Sequence, residues 1–399
     1  MKLIVQKFGG TSVATPEGRE KAIQRVLEAK AKGFAPVVVV SAMGRNGAPY
    51  ATDTLINLVR EIDRDVQARE LDLLTACGEI ISSVVMAQSI KAKGCPAIAL
   101  TGGQAGIRTD ANFGNAQILE INPNPITRLA KAGQIVVVAG FQGVTEDGGI
   151  TTLGRGGSDT TATALGVALK AEEVEIYTDV DGVMTVDPRV VPEAQILDRI
   201  TYREICEMAH QGAKVIHPRA VEIAMTEQVP IRIKNTFSDA EGTLIAQGAA
   251  ERVITGLAHL TNLVQVGVAL NNGKSSQANE VEVFKLLADN GISIDLISVL
   301  PQGIYFTVKE EAAEKATGIL GEAGFEYTLQ KDCGKLSVIG AGMTNVPGVM
   351  ANLMGILHRA GVEILQTSDS EITISFLVPM EQLNRAVQLL HNKFALGQS

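Results

Sequence analysis

The first twelve residues, MKLIVQKFGGTS, limit the fold more than any other stretch of this chain. A short apolar run, Leu3-Ile4-Val5, leads into Lys7, the pair Gly9-Gly10, then Thr11 and Ser12, and residues 16–32 carry a helical pattern. Strand, glycine turn and helix in succession aim backbone N–H groups at an anion, usually a phosphate. A tight turn with no ligand has the same local pattern, so the rest of the chain must decide. Two standard fingerprints are missing. No G-x-x-x-x-G-K-[ST] string occurs, and G-x-G-x-x-G fails at both candidates, where Asp159 follows Gly154-Arg155-Gly156 and Asn345 follows Gly340-Ala341-Gly342.

The alternation continues to about residue 245. Apolar, β-branched runs at 36–40, 97–100, 134–138 and 174–177 have the length of buried parallel strands, with amphipathic stretches at 71–93 and 159–170 between them. Such a pattern implies a mostly parallel sheet covered on both faces, with ligands at the carboxyl ends of its strands. Four polar or glycine-rich loops leave those ends, at residues 7–12, 41–54, 151–161 and 178–189.

The last third is a duplication. An offset of 70 pairs Gly291 with Gly361, Leu287 with Leu357, Ile304 with Ile374, Phe306 with Phe376 and Val308 with Val378. A repeated βαββαβ unit of this size is a ferredoxin-like module, expected to sense a ligand or merely to dimerise. The stretch Ile292-Ser293-Ile294 is read as part of a strand, and the polar segment 238–252 as the boundary before the repeats.

At 399 residues the chain has room for two or three domains, and its net charge of −9 disfavours nucleic acid or a membrane surface as partner. No continuous apolar run reaches the roughly 18–20 residues that span a bilayer, and Lys7 with the glycines interrupts any signal-peptide pattern. A cytoplasmic location is expected. Cys77, Cys95, Cys206 and Cys333 are scattered and read as reduced core thiols. The histidines lack ligand spacing as well.

Lys7-Phe8-Gly9-Gly10-Thr11-Ser12-Val13 resembles the N-terminal signature of the aspartate kinases. Further blocks follow in the family's order: Ser41-Ala42-Met43-Gly44, Gly78-Glu79, Gly154 to Asp159, Tyr177 to Val183, Asp187-Pro188-Arg189 and Gly212-Ala213-Lys214-Val215. The duplicated tail resembles the paired ACT domains of these enzymes. Residues 47–53 and 365–370 are most similar to the diaminopimelate-sensitive bacillus-type isozymes. The resemblance implies a three-layer αβα amino acid kinase sandwich with an eight-stranded sheet over residues 1–245, then ACT domains at 252–328 and 333–399, the final segment expected to pack back on the first. It implies ATP and L-aspartate as substrates, Mg²⁺ carried by ATP with no direct protein ligand, and β-aspartyl phosphate as product.

That chemistry makes sense of the residues. A side-chain carboxylate with a reference pKa near ~3.9 is already ionised, so no general base is needed. The difficulty is bringing an anion to a polyanion, which calls for cations and N–H donors. Lys7 and Lys214 are expected to clamp the transferring group, Gly9 and Gly10 to give backbone donors, Ser12 a hydroxyl, and Asp159 to orient the lysines. Asp159 as a plain helix-start acid and Lys214 as a solvated lysine are the bland alternatives. For aspartate, Arg155 suits the α-carboxylate and Glu79 the α-ammonium, with Ser41, Thr52, Gly156, Gly157 and Ser158 beside them. A generic Arg155–Glu79 ion pair is the competitor. The nucleotide is expected along Phe8, Ser41, Tyr177, Thr178, Asp179, Val183 and Met184, with Arg189 on a phosphate.

The resemblance also implies feedback by an amino-acid effector, namely lysine, threonine or diaminopimelate, and a homo-oligomer built through the ACT domains. Ser275, Ser293, Ile294 and Asp295 are the effector candidates in the first copy, with Asn345 and Gln366 in the second. The second copy has Pro347-Gly348 where the first has Gln277-Ala278, so which copy binds effector stays open. Another amino acid kinase, or a non-catalytic amino-acid-binding subunit, are the competing readings; the latter leaves Lys7, Arg155, Asp159 and Lys214 unexplained.

Overall fold

The computed structural model describes residues 1–213, 215–248, 252–270, 276–343, 346–394 and 396. It divides into two compact units. The first holds Met1–Val183, Ile196–Ala209 and Lys214–Ala249, and the second holds Met184–Gln195, His210–Ala213 and Ala250–Ser399. The division therefore departs from a single cut near residue 245. Two pieces inside that span belong to the second unit, and Val186 and Val191 show why: both are buried in a core of the second unit, beside Leu257 and Leu353.

The first unit is built on an eight-stranded sheet. Its strands run in the order Ala97–Leu100, Ile135–Ala139, Phe34–Val40, Lys2–Phe8, Glu173–Thr178, Ile231–Asn235, Thr243–Ile245 and Arg199–Ile200. The first six are mutually parallel, and Thr243–Ile245 runs antiparallel to Ile231–Asn235 and parallel to Arg199–Ile200. Strands such as Val37-Val38-Val39-Val40 are buried on both faces, which is why they read as unbroken apolar runs. One face packs Phe8, Val38, Val40 and Ile135 against Ile23, Val26, Met86 and Ile90 of the helices Pro16–Ala31 and Ala68–Ala92. Helix Gly157–Ala168 covers the other face. A small four-stranded sheet flanks this core and includes Gln142–Val144 and Ile150–Thr152.

Helix Ala68–Ala92 is long and, on average, apolar enough to cross a membrane by length and composition, although it holds no continuous apolar run of that length. Half of that stretch is buried within the fold, and Glu79, Ser82 and Ser83 on it interrupt the apolar string that a linear scan looks for. All four cysteines are free; Cys333 is buried, but Cys77 is exposed and is no core thiol.

The second unit carries one six-stranded sheet, in the order Asp295–Leu300, Gly303–Lys309, Gly256–Ala269, Tyr327–Ile339, Thr373–Pro379, Gln366–Asp369. The repeat is visible in it. Gly291 and Gly361 both end a helix at φ near +70° (67° and 69°), and Phe306 and Phe376 are fully buried in separate cores. The two long central strands are shared. Residues 263–268 of the first pair with 333–327 of the second, and residues 256–260 pair with 339–335. The second copy thus takes its fourth strand from residues 256–260, so a contiguous 333–399 span does not describe it. Leu396 is buried in the second copy's core with Leu383 and Leu390, not against the first copy. Ile292-Ser293-Ile294 is not strand; the strand begins at Asp295.

Candidate active site

Lys7 is the next-to-last residue of the central strand Lys2–Phe8, so strand direction alone places it at the carboxyl edge of the first unit's sheet. Strand alternation sends Phe8 into the core on one face and Lys7 toward the other, where helix Gly157–Ala168 begins. There Lys7 Nζ lies 2.7 Å from Asp159 Oδ1, both side chains largely buried at 12% and 15% exposure. Asp159 sits in the first turn of its helix, where the backbone dipole favours an acid. The bland capping role and the ion pair therefore coexist.

The glycine pair lies beside this lysine. Gly9 N–H donates to Tyr177 O on the adjacent strand, and Gly10 opens a one-turn helix, Gly10–Val13, that precedes the expected one. Gly10 is pressed against the next loop: a Cβ there would stand 2.6 Å from Ala42 O and 2.8 Å from Gly44 O. Both obstacles are backbone, so Gly10→Ala is expected to cost about 1–3 kcal/mol and to disturb the turn. Thermal unfolding and a rate measurement on the purified variant check this; an unchanged melting temperature with full activity contradicts it.

The same loop leads to Glu79. Ala42 N–H donates to Glu79 Oε1 at 3.0 Å, and Gly78 lets the helix approach within reach of Tyr50 O and the Ala42 methyl. Glu79 is buried, and Oε2 has no hydrogen-bond partner. Burial pushes its carboxyl up to about 8, and the Ala42 N–H only partly opposes that. A buried carboxyl with one unused oxygen next to a phosphate-type turn is suited to a cationic group of a ligand. Arg155 is exposed and makes no ion pair with Glu79 or any other described residue. It follows Gly154 and precedes Gly156, at φ 72° and 71°; a Cβ on Gly156 would stand 2.3 Å from the His217 ring. Ser158 and Gly157 are buried at the start of the helix, against Gly140 and Phe141.

Other expected residues are placed differently. The Ser12 hydroxyl is fully buried and bonds Thr236 Oγ1 at 2.7 Å, so it serves the fold rather than facing solvent. Phe8 and Tyr177 stack with ring centroids 4.8 Å apart inside the core, and the Tyr177 hydroxyl donates to Glu175. Only their main chains are at the sheet edge. Thr178 donates to Asp179, whose other oxygen is paired with Arg45 at 3.0 Å. Val183 N–H donates to Thr243 Oγ1. Ser41 N–H donates to Phe8 O, and Thr52 opens the helix Thr52–Arg60. Met184 and Arg189 belong to the second unit, where Arg189 is held by Asp187 at 2.6 Å. Lys214, Ser275 and Asn345 lie outside the described residues.

In the second unit Ser293, Ile294 and Asp295 line a cavity of about 1120 Å³, together with Lys335, whose ammonium is buried and ion-paired with Asp295. Gln366 lies elsewhere. It bonds Ser298 Oγ at 2.8 Å and the Leu296 carbonyl, and accepts from Gln265, tying the two copies together.

Two functional-looking residues escaped the sequence reading. Asp72 is buried on helix Ala68–Ala92, and half-buried Arg219 on helix Pro218–Glu227 donates to the carbonyls of Leu153 and Ala116. Neither sits in a motif, and their partners are 42 to 103 residues away, so only the folded chain could reveal them.

Residues 2–235 match the amino acid kinase family, and residues 328–392 match the ACT domain. The chain is 46% identical over 406 residues to Aspartokinase 1 of Bacillus subtilis (strain 168), covering all of both. Among solved structures it is similar to E. coli aspartokinase III in complex with aspartate and ADP (R-state), with a TM-score of 0.78, 27% identity, and coverage of 98% of this chain and 99% of that one. The same enzyme in complex with lysine and aspartate (T-state) matches with a TM-score of 0.81 at the same identity and coverage.

Proposed function

The chain belongs to the aspartokinases of the amino acid kinase family, and from that premise we propose how its residues divide the labour of phosphoryl transfer. The enzyme moves the γ-phosphoryl group of ATP to the β-carboxylate of L-aspartate, giving ADP and β-aspartyl phosphate. A carboxylate oxygen forms the new bond to phosphorus as the bond to the β,γ-bridging oxygen breaks, and ADP carries that electron pair away. No proton needs to move. The task left to the protein is charge neutralisation and alignment.

Lys7, already held at the sheet edge by Asp159, takes the non-bridging oxygens of the transferring group, with Lys214 as the second cation. The Gly9-Gly10 turn supplies N–H donors. Glu79 takes the substrate's α-ammonium, the natural partner for its unused oxygen, and Arg155 takes the α-carboxylate. The backbone at Tyr177, Thr178, Asp179 and Val183 borders the nucleotide. Mg²⁺ comes with ATP. Phosphate oxygens and water suit this ion, which dehydrates reluctantly. It adds positive charge at the phosphates.

The second unit is the regulatory part. Its cavity beside Asp295 is the place for an amino-acid effector, with lysine, threonine and diaminopimelate as candidates. Ile297, Val299 and Leu300 on its outer strand and Tyr327 and Leu329 on a central one are exposed, which suits a homo-oligomer formed through the ACT domains.

The observation that carries this reading is the Lys7–Asp159 pair set beside the glycine turn and the buried Glu79. The direct test incubates the enzyme with ATP, Mg²⁺ and aspartate, follows ADP release, and traps the acyl phosphate with hydroxylamine. Hydroxamate formation with aspartate and none with glutamate is expected. No ADP above background with aspartate, or equal rates with glutamate, contradicts it.

A further inference from the structure

We infer that Asp72 is a positioning residue for aspartate recognition, acting with Arg219 to hold the loop that carries Arg155. Asp72 is 2% exposed and cannot reach a ligand. Its Oδ2 accepts from Thr152 N–H at 2.7 Å and Gly114 N–H at 2.9 Å, and its Oδ1 accepts from the Thr152 hydroxyl at 2.6 Å. Arg219 completes the arrangement from the carbonyl side, donating to Leu153 O at 3.0 Å and Ala116 O at 2.9 Å. Ala116 N–H in turn donates to Thr152 O. One buried acid thus collects the N–H groups of two chain segments, and one arginine binds the carbonyls of the same two. Their meeting point is Thr152-Leu153, immediately before Gly154-Arg155-Gly156.

Asp72 and Glu79 lie seven residues apart on one helix, two turns along, and so on the same face. That helix therefore carries the group assigned to the substrate's ammonium and, through Asp72, sets the position of the group assigned to its carboxylate. A rigid spacing between two opposite charges selects the length of an amino acid's head group and favours one orientation.

The inference rests on the assignment of Arg155 to the α-carboxylate, and the test separates the two. In steady-state kinetics on the full chain, Asp72→Ala is expected to raise the aspartate KM roughly ten- to a hundredfold, with the ATP KM changed by less than about twofold. Asp72→Asn, whose amide oxygen can still accept both main-chain bonds, is expected to recover most of the loss. Thr152→Val removes only the hydroxyl bond and gives a readable variant if Asp72→Ala does not fold; its aspartate KM should rise by about two- to fivefold. Arg219→Ala should move the same constant in the same direction. With Arg155 already replaced by alanine, adding Asp72→Ala should cost less than about twofold more, because the loop no longer presents a cation. A folded Asp72→Ala or Thr152→Val with an unchanged aspartate KM, or with equal rises for both substrates, overturns the positioning role while Arg155→Ala alone still raises the aspartate KM. An unchanged aspartate KM in Arg155→Ala overturns the carboxylate assignment and this inference with it.

Discussion

Lys7→Ala is expected to lower kcat by about 10³-fold or more while leaving a folded enzyme. The rate effect follows from the role: removing one donor aimed at developing charge costs about 10²–10³-fold in other acyl and phosphoryl transfers, and a full cation at the transferring group is worth more. The stability effect is smaller. Breaking a fully buried ion pair costs about 3–5 kcal/mol, but Lys7 and Asp159 keep 12% and 15% exposure, so some solvent screening remains and about 1–3 kcal/mol is the expected loss. Adding Asp159→Asn to Lys7→Ala removes the stranded carboxylate and should restore stability without restoring activity. Thermal melting and kcat on the single and double variants read the two effects apart. A kcat within tenfold of the parent removes Lys7 from the mechanism.

Glu79 carries the second large effect. Glu79→Gln keeps the shape and removes the charge, so the aspartate KM should rise by about 10²-fold, the 2–3 kcal/mol of a buried charge-assisted contact. The pH dependence sharpens the test. Because burial raises this carboxyl to about 8, the free enzyme at neutral pH holds it mostly protonated, and an arriving ammonium must bind the ionised form. The kcat/KM for aspartate should therefore climb with pH, pass half height near 8 and level off above it, and Glu79→Gln should lose that limb. Stability runs the other way. The folded-state value lies above the unfolded value of 4.5, so the folded chain binds this proton more tightly. Its contribution is complete below about 4.5 and is lost as pH rises toward 8, a change of up to about 5 kcal/mol by linkage. Glu79→Gln flattens that slope. A variant with the parental pH profile in both measurements would show that Glu79 titrates with neither binding nor folding.

The architecture was legible because its signals are local. Val37 to Val40 and Ile135 to Val138 are buried on both faces and so appear as plain apolar runs, and Phe306 and Phe376 repeat because each anchors its own core. Lys7, Gly10, Glu79 and Asp159 were singled out from motif and chemistry together, and the fold brings Lys7 to Asp159 and sets Gly10 against the Ala42 loop that holds Glu79. The misplacements share a cause. Ser12 lies in the motif, yet its hydroxyl faces Thr236, 224 residues away, and the Tyr177 ring is stacked on Phe8 of a strand from the far N-terminal end. Met184–Gln195 continues the loop of Asp179 in sequence but contributes Val186 to the other unit's core. In each case the deciding partner is remote in sequence, and no spacing rule encodes it.

The strand exchange in the second unit bears on how this chain could be cut. The first repeat is nested within the second, which stays open on one edge until residues 256–260 lie against Lys335 to Ile339. A fragment starting at residue 328, where the ACT match begins, would expose that row of amide and carbonyl groups to any passing strand. A tail made on its own, whether by proteolysis or by an internal start of translation, keeps both repeats whole only if it begins upstream of Gly256.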